Sequence, residues 1–336
     1  MNITFLFFFT ILGSLLLYFC RKNNLIIDFK LEKHKRFSSK SKSNSIGGIL
    51  LGIFFIYHFI YISEEIYLLI FLLFMLLIGL MSDIKKLNNA GSRFFLQLIL
   101  VIFFVTLLDF QIVSTKIEFV DRLLTNNFFN IFFVTFCLMV LINGGNFVDG
   151  LNGLLTKYYL LIYVLIYFMF PENESINKDF LINLIFVLIF ILILNLFGLI
   201  YLGDSGAYLL SLFTGLYLIN FAFNNAEISP YIIIIFLWYP CFELLFSIIR
   251  RSNKKMKAYK PDALHLHQYI YFFIKKKFNI LNNLFAHLMT SLVINSYNLI
   301  IFIVSLNFIY NSNFLVYILI LNIFFYLLIY RFLKKS

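Results

Sequence analysis

The feature that most constrains this chain is a series of apolar runs, each near the length of a membrane span, that recurs from end to end. A helix of about 20 residues crosses the hydrocarbon core of a bilayer. Of the 336 residues, 62% are hydrophobic and only 13% are charged. A soluble domain of this size cannot bury so much apolar surface in one core. The sequence therefore predicts an all-α, polytopic integral membrane protein.

The apolar runs predict about eleven transmembrane helices within one membrane-embedded domain, residues 1–336, because no internal repeat or separate soluble region is visible. No basic residue precedes the first run and no A-x-A site follows it, which indicates a first membrane helix and not a cleaved signal peptide. The predicted spans are 3–20, 46–62, 66–81, 94–108, 128–145, 157–170, 180–200, 206–223, 230–249, 284–306 and 314–330.

The basic residues predict the orientation of these spans. When the first loop, 21–45, is placed in the cytoplasm, 24 of the 27 Lys and Arg residues fall on the cytoplasmic side. Lys and Arg are enriched in cytoplasmic loops, so we expect an external N-terminus and a cytoplasmic C-terminus. The net charge of +11 follows from this bias and from attraction to anionic headgroups. It gives no reason to expect a nucleic-acid partner.

Acidic and glycine-rich motifs collect on the same predicted face. Asp149 ("FVDGLNG") and Asp204 ("LGDSG") each stand beside glycine at the end of an apolar span. A carboxylate at membrane depth is costly and usually marks a functional site, although a single one can also be a helix-end group that reaches water. Oxygen ligands that leave positions open for phosphate and water are what Mg²⁺ prefers.

Amides and histidines accompany these acids. Asn143, Asn146 and Asn152 surround Asp149, and an amide can ligate a metal or read the edge of a heterocycle. Glycine and asparagine here are equally typical of simple turns.

His265 and His267 are two residues apart, so they do not share a helix face as a two-histidine zinc site would require. A loop that contacts phosphate through imidazole N–H groups fits the spacing better, and the nearby basic residues would suit an anionic substrate. The lone His58 and His287 lie in apolar spans and are interpreted as packing residues.

In their order along the chain, these motifs resemble the polyprenyl-phosphate N-acetylhexosamine-1-phosphate transferases, the MraY/WecA family (glycosyltransferase family 4). The pieces are "GGI" after a basic loop, "GLMSDIKKL", "NGGNFVDGLNGL", "LGDSGA" and "PDALHLHQ". The resemblance implies transfer of a sugar-1-phosphate from a UDP-sugar to undecaprenyl phosphate, with Mg²⁺, or Mn²⁺ as an alternative, and release of UMP. It also implies the bacterial inner membrane, with the active site on the cytoplasmic face in loops 21–45, 82–93, 146–157, 201–206 and 250–283.

The resemblance assigns roles residue by residue. Asp204 and Asn146 match the metal-holding positions, and Asp83 and Asp149 join Asp204 as catalytic candidates. Asn152 matches the position that reads uracil. The substrate-binding set that the resemblance implies is Asn143, Asn146, Asn152, Arg93, His265, His267 and Asn195.

Departures from the family pattern narrow the prediction. Ser82 stands where the family has the first of two adjacent aspartates, and the motif reads "DGLN" in place of "DGLD". These differences favour the WecA-like branch, which starts O-antigen, capsule or other cell-envelope glycans. The predicted partners are a UDP-N-acetylhexosamine and undecaprenyl phosphate, with a homodimer left open. The alternatives are a transporter or lipid flippase, and a family member made inactive by Ser82.

The charge bias makes a direct topological prediction. A reporter fused after Ser336 should be cytoplasmic. One placed within 171–179 should be external, because that segment between two predicted spans has few basic residues. Protease accessibility or a compartment-sensitive fusion measures this. The opposite result at either position would remove the argument that the motifs share one face.

Overall fold

The computed structural model describes residues 3–23, 25, 44–63, 65–170, 177–253, 255 and 264–335. These residues form thirteen helices and no strand, apart from one isolated parallel bridge between Asn44 and Ile200. The prediction of an all-α protein is confirmed. The helices are α1 (Ile3–Lys22), α2 (Gly47–Tyr61), α3 (Ile66–Asp83), α4 (Ala90–Leu107), α5 (Glu118–Leu124), α6 (Asn127–Val148), α7 (Leu154–Met169), α8 (Lys178–Leu196), α9 (Gly203–Asn224), α10 (Tyr231–Asn253), α11 (Leu266–Lys277), α12 (Asn283–Leu306) and α13 (Ser312–Lys335).

The helices coincide with the predicted spans. Within the described ranges, nine helices are long and apolar enough to cross a membrane: α1, α3, α4, α6, α8, α9, α10, α12 and α13. The apolar helices α2 and α7, with 15 and 16 residues, occupy the other two predicted spans. The remaining helices, α5 and α11, lie in segments between spans. The direction in which the bundle crosses the membrane stays a prediction.

Three segments predicted as loops are partly helical, which corrects the sequence-based boundaries. α6 continues to Val148, so Asn143 and Asn146 lie on a helix. α9 begins at Gly203, and the segment 250–283 contains the end of α10 and all of α11. The glycines of these motifs suggest turns, but in the bundle they let helices approach closely, so packing overrides the local preference. Most of the predicted loop 21–45 lies outside the described residues.

α9 is the central helix of the bundle. Of the nine long apolar helices, it has the largest buried share, 72%. It packs against α2, α3 and α6. Small residues on the neighbours make this possible, because a methyl group added at Gly48 of α2 or Gly79 of α3 would overlap the backbone around Ser205. Close approach at small residues is the usual basis of helix packing in membranes.

Proline interrupts α10, and α6 and α7 accommodate the break. Pro240 lies inside α10 and has no N–H for the carbonyl four residues earlier, that of Phe236. The hydroxyl of Tyr158, on α7, donates to that carbonyl at 2.8 Å. On α6, Gly144 lies directly against the Pro240 carbonyl oxygen. Tyr158 therefore donates to the carbonyl that Pro240 leaves without a donor, and Gly144 leaves room for the Pro240 carbonyl.

This contact predicts that Gly144→Ala destabilises the protein, because the added methyl group would overlap the backbone carbonyl of Pro240 and force α6 and α10 apart. Overpacking of this kind costs about 1–3 kcal/mol of the free energy of unfolding. Unfolding in detergent measures it, with Gly91→Ala as the control, since its nearest contact is Asn89 Oδ1 at 3.3 Å. Equal stability of the two variants would contradict the packing described here.

Candidate functional site

The predicted site residues gather at one end of the bundle, here termed the Asp204 end. It contains the last turn of α3, the first turn of α9, the C-terminal end of α6 and the first turn of α11. Residues 44–48 also pass along this end, where the Gly47 and Gly48 amides donate to the carbonyls of Tyr201 and Leu202 at 3.0 and 3.1 Å. These backbone hydrogen bonds join two segments that are far apart in sequence.

Asp83 caps the first turn of α9. Its carboxylate accepts hydrogen bonds from the backbone amides of Asp204 at 2.8 Å and Ser205 at 3.1 Å, and from the Ser205 hydroxyl at 2.6 Å. The first amides of a helix have no partner within the helix, and a carboxylate also complements the positive end of the helix dipole. Gly203 starts this turn at a φ of 77°, a left-handed conformation that favours glycine.

Asp204 forms an ion pair with Arg93. The Asp204 Oδ2 atom lies 2.7 Å from Arg93 Nη1 and accepts from the Ser82 hydroxyl at 2.5 Å. Arg93 also donates to the Ser82 hydroxyl. The Asp204 and Arg93 side chains keep 27% and 23% of their surface exposed, so the pair is open to solvent on one side. The predicted proximity of Asp83, Asp204 and Arg93 is thus present in the structure.

Two amide side chains of α6 contact residues that lie one helical turn from the Asp204–Arg93 ion pair. Asn146 donates to the Tyr208 hydroxyl at 3.2 Å, and Tyr208 follows Asp204 by one turn of α9. Asn143 donates to Gln97 Oε1 at 3.2 Å, and Gln97 follows Arg93 by one turn of α4. Side-chain hydrogen bonds from α6 therefore reach both α4 and α9. Sequence reasoning did not select Tyr208 or Gln97 as site residues.

The histidine motif contacts the other side of the α6 terminus. His267 is in the first turn of α11 and not in a loop, and its ring lies parallel to that of His265, with centroids 5.4 Å apart. A methyl group added at Gly150 would lie 3.0 Å from His267 Nε2. Asp149, the C-cap of α6, is half-buried next to that glycine. The motif carrying Asp149 therefore lies against the histidines.

Burial determines the charge of His267. Its side chain is fully buried, and this desolvation, together with the nearby His265, lowers the pKa of His267 to about 3, although Glu243 opposes the shift. The ring is therefore neutral at physiological pH. Within the part of the chain that the structure describes, neither ring nitrogen of His267 has a hydrogen-bond partner.

Glu243 is a buried partner of the histidine motif that sequence reasoning missed. His265 Nδ1 lies 2.9 Å from Glu243 Oε1, and the Glu243 side chain is fully buried. The signal was available, because Glu243 is the one acid within the apolar span 230–249, and ionisable groups inside membrane spans are rare and functional.

Asn152 and Asn195 are placed together, but their amides contact protein groups. Asn152 donates to the Asn195 carbonyl at 2.9 Å, and its Oδ1 lies 3.2 Å from His287 Nδ1. Asn195 accepts from the Gly153 amide and donates to the Ile200 carbonyl at 2.9 Å. Both side chains are buried and connect α8 to the start of α7. His287 takes part in this contact and does more than pack, whereas His58 lies among phenylalanines.

The capping role of Asp83 predicts a stability effect. Asp83→Ala leaves two amides and a hydroxyl without their acceptor and should lower the free energy of unfolding by about 1–3 kcal/mol. Asp83→Asn keeps one acceptor oxygen and should cost less.

Unfolding in detergent measures these losses against Glu118→Ala. That control removes an exposed ion pair with Arg122 and should change stability by less than about 0.5 kcal/mol. A stability loss for Asp83→Ala no greater than for Glu118→Ala would contradict the cap.

Residues 65–222 match the family model described as Glycosyl transferase family 4. That region runs from α3 into α9 and contains Asp83, Arg93, Asn146, Asp149 and Asp204. No curated protein matches the chain. The match confirms the resemblance predicted from the motifs: residues 65–222 are similar to glycosyl transferase family 4.

Proposed function

We propose that this protein transfers an N-acetylhexosamine-1-phosphate from a UDP-sugar to undecaprenyl phosphate and releases UMP, as the first step of an O-antigen, capsule or other cell-envelope glycan. The family match suggests a transferase acting on a sugar nucleotide and a polyprenyl phosphate. The observation that carries the finer proposal is the arrangement of Asp83, Asp204 and Arg93 beside Asn146 at one end of an apolar bundle.

Mg²⁺ is the proposed cofactor because the donor set suits it. Among the described residues, no three His, Cys, Asp or Glu side chains cluster as a metal site. Mg²⁺ typically binds through one or two carboxylates plus substrate phosphates and waters, and does not need a complete protein cage. The Asp204 carboxylate and the Asn146 amide fit an ion that arrives with a pyrophosphate. When bound, the metal would neutralise the negative charge of the pyrophosphate and make its β-phosphorus more electrophilic.

The protein residues supply positioning and charge, which is most of what phosphoryl transfer requires. Arg93 pairs with Asp204 and would turn its guanidinium toward phosphate oxygens when the carboxylate takes another partner. Asp83 uses both oxygens to hold α9, but a carboxylate has about four acceptor positions. It therefore keeps capacity to orient the lipid phosphate while it fixes the turn that carries Asp204.

The nucleotide side of the site is assigned to the histidine motif and the α6 terminus. Arg251 lies over the Phe147 ring at 5.2 Å, and Phe147 contacts the ring of His265 at 5.1 Å. Cationic and imidazole N–H groups of this kind suit a pyrophosphate. Asp149 is proposed to act beside them. The role of Asn152 in reading uracil stays a prediction. In the structure its side-chain amide contacts the Asn195 carbonyl on α8 and His287 on α12.

The membrane location follows from the lipid acceptor and from the helices. Several apolar helices in a family typical of the bacterial inner membrane support that location. The bias of Lys and Arg along the chain supports a cytoplasmic Asp204 end. The family match favours a transferase over a transporter or flippase. An inactive family member is separated from an active one by the assay below.

The decisive experiment incubates purified protein with undecaprenyl phosphate, Mg²⁺ and a panel of UDP-sugars, and measures UMP release. We expect release with an N-acetylhexosamine donor and none after chelation of divalent ions. Asp204→Ala should abolish turnover, because it removes the carboxylate proposed to hold the metal. If it kept more than about a tenth of the activity, the loss would be under ~1.4 kcal/mol and the proposed role would be wrong.

Asn146→Ala extends this test to the second proposed ligand. Its activity should fall and partly recover at higher Mg²⁺, since one ligand is lost but the carboxylate remains. Asn224→Ala is the matched control, because Asn224 is an exposed amide at the opposite end of α9. An activity loss in Asn146→Ala that Mg²⁺ does not change would argue against metal contact. No UMP release from any donor would support the inactive alternative.

A further inference from the structure

The proposed function does not explain why α10 carries a buried acid. Glu243 is fully buried within an apolar helix, where an unpartnered carboxylate is costly. Both of its oxygens have partners from other helices. Oε1 lies 2.9 Å from His265 Nδ1, and Oε2 accepts from the Tyr326 hydroxyl at 2.7 Å. The carboxylate thus joins α10 to the histidine motif and to α13.

The contact with Glu243 determines which nitrogen of His265 carries a proton. A carboxylate only accepts hydrogen bonds, so the His265 Nδ1 atom that faces it must carry a proton. The hydrogen bond that one ring nitrogen makes sets the tautomer of a histidine, and a carboxylate partner also orients the ring. The orientation is visible here, because the His265 ring lies within 7° of parallel to His267 and 5.1 Å from Phe147.

α13 supports the same segment at two successive turns. Tyr326 orients the Glu243 carboxylate directly. Tyr330, one turn further along, donates to the Leu264 carbonyl at 3.2 Å and accepts from Arg250 at 3.2 Å. Leu264 immediately precedes His265. The two tyrosines therefore contact the histidine motif differently: one through the carboxylate, the other through the backbone.

We propose that Glu243 is a positioning residue of the site: with Tyr326 orienting its carboxylate, it holds the His265 imidazole protonated at Nδ1 and stacked on His267. The inference rests on the proposed function in one respect, namely that His265 contacts the UDP-sugar. Glu243 itself does not touch substrate.

Nitrogen NMR of the full-length protein in detergent, labelled with ¹⁵N-histidine, tests the tautomer directly. Protonated and unprotonated ring nitrogens give separate signals, and His265→Asn identifies those of residue 265. In the wild-type protein without substrate we expect a protonated Nδ1. An unprotonated Nδ1 at neutral pH overturns the proposal without requiring any variant to fold.

Three variants then separate positioning from general support. Glu243→Leu offers no acceptor oxygen, so the Nδ1-protonated signal of His265 should weaken or be lost. Tyr326→Phe keeps the carboxylate and should shift the signal without changing the tautomer. Tyr330→Phe, the matched control one turn away, should leave the His265 ring signals unchanged. A Glu243→Leu spectrum identical to wild type contradicts the proposal.

Activity supplies the second readout. In Glu243→Leu, kcat/KM for the UDP-sugar should fall about tenfold to a hundredfold, the range found for groups that orient metal-bound histidines. If the wild-type protein releases no UMP from any donor, the proposed function fails and the NMR result still decides the role of Glu243. If the wild-type protein is active and Glu243→Leu is equally active, this inference fails and the proposed function stands.

Discussion

The arrangement of the site depends on how the first turn of α9 is capped. α9 is surrounded by α2, α3 and α6, so its leading amides meet protein and little water. Amides in that position need an acceptor from another element. Asp83, the last residue of α3, supplies both carboxylate oxygens. Because Asp204 belongs to the same turn, the cap also determines where Asp204 lies relative to α3 and α4.

Two carboxylates that share one helix terminus would repel each other without a compensating charge. Arg93 supplies that charge through its ion pair with Asp204. Ser82 contributes differently, since its hydroxyl donates to the Asp204 carboxylate. A third carboxylate at position 82 could only accept, and it would add negative charge beside Asp204. The departure of this chain from the family's paired aspartates therefore has a local physical reason, and it leaves two carboxylates and one guanidinium at the first turn of α9.

Much of the fold was predictable from the sequence, because bilayer crossing depends on properties that are local along the chain. The length and hydropathy of each run placed the helices, and the motifs identified the family. The helix ends were less predictable. "NGGNF" has the composition of a turn, yet α6 continues through it because Gly144 and Gly145 pack against α10 and α9. Glu243 was visible as an acid in an apolar span, but nothing in the sequence names His265 and Tyr326 as its partners.

The sequence by itself determined the all-helical membrane class, the candidate acids and amides, and the family that they resemble. Only the tertiary structure decided what each polar side chain contacts. Asp83 and Ser205 are separated by 122 positions, and Asn152 and His287 by 135. Such pairs form only after several helices have packed, since each hydrogen bond depends on the distance and angle between two helices. Those quantities come from side-chain packing across the whole bundle, and no local pattern encodes them. For that reason the amide of Asn152, available in the sequence for a ligand, is engaged by protein in the fold.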